Sequence, residues 1–148
     1  MPEQETIERA RKDAGEGKAP STQAGEFVRE EMEHIREGKH GARSAKQAIA
    51  IGLSKARRAG VPLPAPKKGT TSRGTRKQAK RESAKSRRRT GRPSVKRSRA
   101  AKQALKDEPR AAASHRALSR QAHLAARKRT AAERSRAAKK AARTRKKL

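Results

Sequence analysis

Few residues in this chain have the types and spacing that chemistry requires. Carboxylates cluster at Glu26, Glu30, Glu31, Glu33 and Glu37. Paired carboxylates do acid–base work only where a pocket separates their pKa values. Here the pattern places them on an exposed helix, so they read as a solvated face. A more specific reading is that this acidic helix docks on the chain's own basic tail. The four histidines, His34, His40, His115 and His123, have no cysteine partners and no i,i+4 pairing, unlike the usual zinc spacings. His34 and His40 straddle an expected helix end and read as solvated rings, so no metal and no cofactor are predicted. Gly15-Glu16-Gly17-Lys18 is not a phosphate-binding loop, because Lys12 stands where the first glycine belongs and Ala19 where Ser or Thr belongs. No nucleophile–base constellation is present. The chain is therefore read as a non-enzyme with no catalytic residues.

The cations carry most of the information. The chain holds 43 Lys and Arg against 14 Asp and Glu, a net charge of +29 over 148 residues. Residues 1–60 carry 12 basic and 10 acidic groups, while residues 61–148 carry 31 basic and 4 acidic groups. Duplex DNA has one charge per about 1.7 Å of axis, and ten phosphate contacts would give a log–log salt slope near −9. Such a tail is read as a polyanion-binding segment. The residues expected to contact nucleic acid are Arg87, Arg88, Arg89, Arg92, Lys96, Arg97, Arg127, Lys128, Arg129, Lys139, Lys140, Arg143, Arg145, Lys146 and Lys147. Phe27 is the one aromatic residue, so base stacking falls to arginine alone, which argues against a dedicated single-strand platform. Arg87-Arg88-Arg89-Thr90-Gly91-Arg92-Pro93 resembles an AT-hook, an arm of the A·T minor groove, with Thr90 where that family has Arg. The Ala/Lys/Arg tail is also similar in composition to linker-histone and bacterial histone-like tails. That resemblance implies sequence-independent DNA binding and compaction.

The elements that must position these residues follow from a sparse apolar inventory. The hydrophobic fraction is 30%, but 29 of those residues are Ala and only 16 are Val, Ile, Leu, Met or Phe. That is too little for a large core, since ordering each residue costs about 1–2 kcal/mol. The expected fold is all-α where folded: a small helical hairpin head with a largely disordered basic tail containing latent Ala-rich helices. Residues 1–19 read as a weak helix and a break. Residues 20–61 read as the hairpin head, with core residues Phe27, Val28, Met32, Ile35, Ile49 and Leu53. Ser44 and Gln47 have capping-box spacing, and Gly60-Val61-Pro62 forms a stop signal. Residues 62–66 read as a stiff Pro-rich linker, and residues 67–97 as disordered. Residues 98–148 read as a tail with latent helices, interrupted at Pro109 and capped again at Thr130-Ala131-Ala132-Glu133. The two head helices have sizes suited to a helix-turn-helix, but the Gly38–Arg43 connection exceeds its usual turn. Gln47 is read first as a cap and only second as a base reader.

The head stretch from Arg36 to Gly60 contains Gly38-Lys39-His40-Gly41, Ser44, Lys46-Gln47-Ala48-Ile49-Ala50-Ile51 and Leu53-Ser54. It resembles a domain of unknown function found in small basic bacterial proteins, some of them labelled plasmid stabilisation protein. The resemblance implies a bacterial, cytoplasmic protein and leaves the mechanism open. The combined expectation is sequence-tolerant DNA binding of the nucleoid type. RNA or ribosome association, and a protein–protein adaptor acting through the head, are the alternatives. Self-association through the head is a further expectation. No apolar run is long enough to span a membrane, the opening Met-Pro-Glu-Gln-Glu is unlike a targeting segment, and the tail lacks the large apolar residues needed to insert.

Overall fold

A computed structural model describes residues 1–86 and 94–146. The described chain is all-helical: α1 (Gln4–Gly15), α2 (Pro20–Arg36), α3 (Ala45–Arg58), α4 (Arg73–Ser86), α5 (Val95–Lys106), a 3-10 helix (Arg110–Ala113), α6 (His115–Arg127) and α7 (Ala131–Arg145).

The first three helices start and stop where their residues require. Pro20 opens α2 from the first turn, where its missing N–H is no loss. Ser44 caps α3, its hydroxyl accepting from Gln47 N at 3.2 Å, while Gln47 Oε1 accepts from Arg43 N at 2.7 Å. The reciprocal cap therefore reaches one residue further back than the usual box, and it occupies the Gln47 side chain. The ends of α2 and α3 share one hydrogen-bond pattern. Lys39 N donates to His34 O and Gly38 N to Ile35 O, while Val61 N donates to Ala56 O and Gly60 N to Arg57 O. Gly38 and Gly60 sit at φ of +78° and +97°, the left-handed position at which a side chain would be strained.

Alanine does more in this fold than favour helices. One apolar cluster joins Ala10, Ala24, Phe27, Ala56 and Val61, with Ile7, Leu53 and Leu63 against it. The other joins Met32, Ile35, Ala42, Ala48, Ala112 and Ala113, with Val28, Ile49 and Leu118 against it. Ala24, Ala42, Ala48, Ala56 and Ala113 are fully enclosed. Small residues let the backbones approach closely, and a Cβ at Gly52 would stand 2.7 Å from Val28 Cα.

The second cluster crosses the expected boundary between head and tail. Ala112, Ala113 and Leu118 come from beyond the proline-rich linker, yet they complete the packing of α2 and α3. The backbone fixes the same junction. Gly41 N donates to Leu105 O at 2.7 Å, Ala42 N to Pro109 O at 3.1 Å, and Arg36 Nε to Ala113 O at 3.1 Å. A side chain at Gly41 would collide with the Glu108 carbonyl.

The largely disordered tail expected from composition is not what the described residues show. Helix α4 lies within the stretch read as disordered. Its Ser72 hydroxyl accepts from Thr75 N, its Ala79 is buried, and its Glu82 accepts from Ser54 Oγ of α3 at 2.5 Å. One alanine and one carboxylate are the buried residues of the helix, and its sequence has no conspicuous apolar stripe. Further on, Ser114 caps α6 through Ala117 N. Thr130 and Glu133 form a full capping box on α7. Helices α5, α6 and α7 have no buried residue; α6 rests its half-buried Leu118 on the second cluster, while α5 and α7 rely chiefly on helix propensity, with a cap on α7.

Candidate functional site

The structure sorts cations into two populations. In the head half of them, Arg9, Lys18, Arg29, Lys39, Arg43 and Lys55, are paired. Arg9 Nε meets Glu26 Oε2 at 2.8 Å, Lys18 Nζ meets Asp13 Oδ1 at 2.7 Å, and Arg29 Nε meets Glu33 Oε1 at 3.0 Å. Among the described residues, every Lys or Arg in an ion pair lies at or before Lys55. The described tail cations carry no such partner. Lys96 and Arg97 are exposed on α5, Arg127 ends α6, and Lys128 and Arg129 follow it. Lys139, Lys140, Arg143 and Arg145 are exposed on α7, with Lys146 just beyond. Arg87, Arg88, Arg89 and Arg92, with the hook-like stretch around them, lie outside the described residues, as does Lys147. Two further clefts are lined by cations: one on α4 by Arg73, Arg76, Lys77 and Lys80, and one on α5 by Arg99, Lys102 and Lys106.

Of the residues expected in the head core, Phe27, Met32 and Ile35 are buried, and Val28, Ile49 and Leu53 pack against them half-buried. The solvated acidic face is a different matter. Glu30 and Glu31 are 2% and 0% exposed and turn inward toward Lys55 of α3. Lys55 Nζ lies 3.0 Å from Glu30 Oε1 and 2.7 Å from Glu31 Oε2. Burial would push the Glu30 carboxyl up, but hydrogen bonds from Lys55, from the Glu3 amide and from Thr6 outweigh it and hold the group below its ordinary range. Burial likewise opposes the charge on Lys55, and the Glu31 and Glu30 carboxylates overcome it, raising the ammonium above its ordinary value. No carboxylate of α2 pairs with a tail cation among the described residues. Docking of this helix on the basic tail is therefore replaced by docking on α3 and the N-terminal segment.

The reading of His34 and His40 as solvated rings is also corrected. Their side chains are only 13% and 17% exposed. The rings meet edge to face at 6.2 Å between centroids. His34 Nε2 lies 2.8 Å from Glu3 Oε1, and His40 Nε2 lies 3.3 Å from Glu31 Oε1. Together with Lys39, His34 holds the Glu3 carboxyl below the usual carboxylate range. The Gly38 reversal explains the juxtaposition, because it folds the loop back so that His40 returns over the last turn of α2. Glu31, His34 and His40 form a group whose ligand-type atoms all lie within 4.8 Å of one another. The one sequence signal for this group was the Glu31-x-x-His34 spacing, which places both residues on one helical face. The contribution of His40 depends on the turn.

Residues 20–68 match the model of a family of unknown function, DUF6496. The matched stretch contains α2, α3, the His40 loop and the proline-rich segment, and so most of the paired ionic cluster. The strongly basic helices α4 to α7 lie beyond it. No curated protein matches the chain, and no solved structure does. No described helix is long and apolar enough to cross a membrane.

Proposed function

We propose that this protein binds duplex DNA with little sequence preference through its basic tail, in the manner of a nucleoid-associated or histone-like protein, and serves plasmid or chromosome maintenance. The observation that carries the reading is that no described tail cation stands in an ion pair, whereas half of those in the head do. A structural role for a lysine or arginine ordinarily shows as a carboxylate partner or a buried stem. In α5, α6 and α7 no residue is buried, and the described ion pairs take none of their cations. Their charge is available to phosphates, each contact releasing counterions. Helix α7 has 15 residues, so it spans about 22 Å at 1.5 Å per residue. A duplex presents about 13 phosphate charges over that length.

The helix-turn-helix reading loses support, because Gln47 is committed to capping α3. Structured RNA is the second reading, since it presents the same phosphate charge. The test is salt-titrated binding of the full chain to random-sequence duplex, A·T-rich duplex and structured RNA. A variant with Lys139, Lys140, Arg143 and Arg145 replaced by Gln accompanies it. We expect steep salt dependence and near-equal affinity for the two duplexes, with the slope flattened by up to about 3.6 in the variant. An unchanged slope would refute the tail as the binding element. Binding to RNA alone would transfer the function to that partner.

A further inference from the structure

We propose that Glu31, His34 and His40 form a binding site for a divalent transition-metal ion, with zinc as the best fit. Four observations converge on it. The donor set is two imidazoles and one carboxylate, a combination suited to zinc. The donor atoms lie within 4.8 Å of one another. Glu31 Oε1 and His40 Nε2 stand 3.3 Å apart, and two ligands about 2.0–2.1 Å from a tetrahedral ion are separated by about 3.3–3.4 Å.

Glu31 provides the second argument. It is 0% exposed, and its two oxygens have different surroundings. Oε2 lies 2.7 Å from Lys55 Nζ, which is shared with Glu30. Oε1 faces His40 Nε2 at 3.3 Å and has no hydrogen-bond partner, and a buried carboxylate oxygen left so is costly. A cation between Glu31 Oε1 and the imidazoles would satisfy it.

The third argument is the orientation of His40. Its Nδ1 lies 3.0 Å from the Gly41 carbonyl. Donation of Nδ1–H there leaves the Nε2 lone pair directed at Glu31. A ligating histidine typically donates its other ring N–H to a backbone carbonyl or carboxylate in this way, which sets the tautomer. The Nε2 lone pair and a carboxylate oxygen would repel each other unless a proton or a metal ion lay between them.

The fourth argument is location. The three residues come from α2 and from the loop after it. The same loop holds the tail through Gly41 N to Leu105 O and Ala42 N to Pro109 O. Glu3 of the N-terminal segment borders the site through His34 Nε2. An ion bound here would clip the loop to α2 and strengthen the seat of the tail on the head. The remaining coordination position would fall to water.

The experiment is a zinc titration of the full chain followed through histidine ring nitrogen resonances. We expect one equivalent of Zn²⁺ to shift the ring signals of His34 and His40, leave those of His115 and His123 in place, and raise the melting temperature. Cobalt(II) should give the intense visible absorption of a four-coordinate ion. His40→Gln and His34→Gln should each weaken zinc binding by more than the 10–100-fold typical of losing an outer partner, while the double change His115→Gln, His123→Gln should leave it unaltered. Zinc that moves no ring signal of His34 or His40, or that moves His115 and His123 instead, overturns the proposal. The ring signals of the unsubstituted protein decide between these outcomes even if a variant fails to fold.

Discussion

The head and the tail use the same two residue types, alanine and cations, for opposite purposes. In the head, alanines at Ala24, Ala48 and Ala56 are enclosed between helices, and Lys55 is drawn inward between two buried carboxylates. In α7, alanines at Ala131, Ala132, Ala137 and Ala138 are exposed, and the cations around them face outward without partners among the described residues. Composition does not separate these uses. The difference comes from a few large apolar residues, Phe27, Met32 and Ile35 among them, which give the head helices something to close upon. Where such residues are missing, alanine acts through helix propensity alone, and positive charge stays at the surface.

The largest expected effect comes from breaking the inward use of charge. Lys55→Met keeps much of the side-chain volume but leaves Glu30 and Glu31 buried without their shared cation. Removing one partner of a buried ionic group costs about 3–5 kcal/mol. A urea denaturation curve should show that loss, and a shift under about 1 kcal/mol would mean the cluster is more hydrated than its burial implies. Replacing a tail cation such as Lys139 should, by contrast, change stability by no more than about 0.5 kcal/mol.

A smaller effect is expected where tail meets head. Gly41→Ala would drive a Cβ into the Glu108 carbonyl. Overpacking of this kind costs about 1–3 kcal/mol. Amide exchange should accelerate at Gly41 and Ala42, whose N–H groups donate to Leu105 and Pro109. Gly25→Ala is the matched control. Gly25 lies inside α2 with nothing within 4 Å of an added Cβ, so the change should stabilise by about 0.5–1 kcal/mol. If both substitutions behaved alike, the tail's seat on the His40 loop would not be a packing constraint.

The smallest effect belongs to the tail on its own. Thr130→Ala removes the α7 cap, worth about 1 kcal/mol. It should reduce helix content measured by circular dichroism without moving the main unfolding transition. Glu133 accepts from the Thr130 amide and hydroxyl, which holds its carboxyl below the ordinary range. A lowered carboxylate pKa means that its contribution is complete above the unfolded value, about 4.3, and is lost as pH falls through the folded one. The helicity difference between the native chain and Thr130→Ala should therefore narrow below about pH 4.3. A difference that stayed constant well below that pH would show that the carboxylate draws nothing from the Thr130 hydroxyl.

Much of this molecule could be read from local signals. Ser44, Gly60 with Val61, Thr130 with Glu133, and Pro109 each act through backbone groups a few residues away, so spacing alone reveals them. The apolar stripe of Val28, Met32 and Ile35, with Phe27 beside it, follows from helical spacing and was visible as well. Helix α4 was not, because a single buried Ala79 and a Glu82–Ser54 hydrogen bond leave no periodic trace. The inward turn of Glu30 and Glu31 was hidden as well. Carboxylates on a charged helix ordinarily face water, and only the approach of Lys55 from another helix makes their burial tolerable. The meeting of His40 with His34 and Glu31 depended on a glycine reversal whose direction spacing does not encode.

Local interactions in the sequence by themselves determined the helical character of the chain, its caps and stops, and the concentration of charge beyond the proline segment. Each is a matter of propensity, hydrogen bonding within a few residues, or composition. The tertiary structure alone decided which cations are neutralised, which histidines and carboxylates meet, and that Ala112 and Ala113 of the tail finish the packing of the head. These depend on distances between residues remote in the chain. Those distances are set when a small set of apolar side chains excludes water and carries the charged groups beside them into contact.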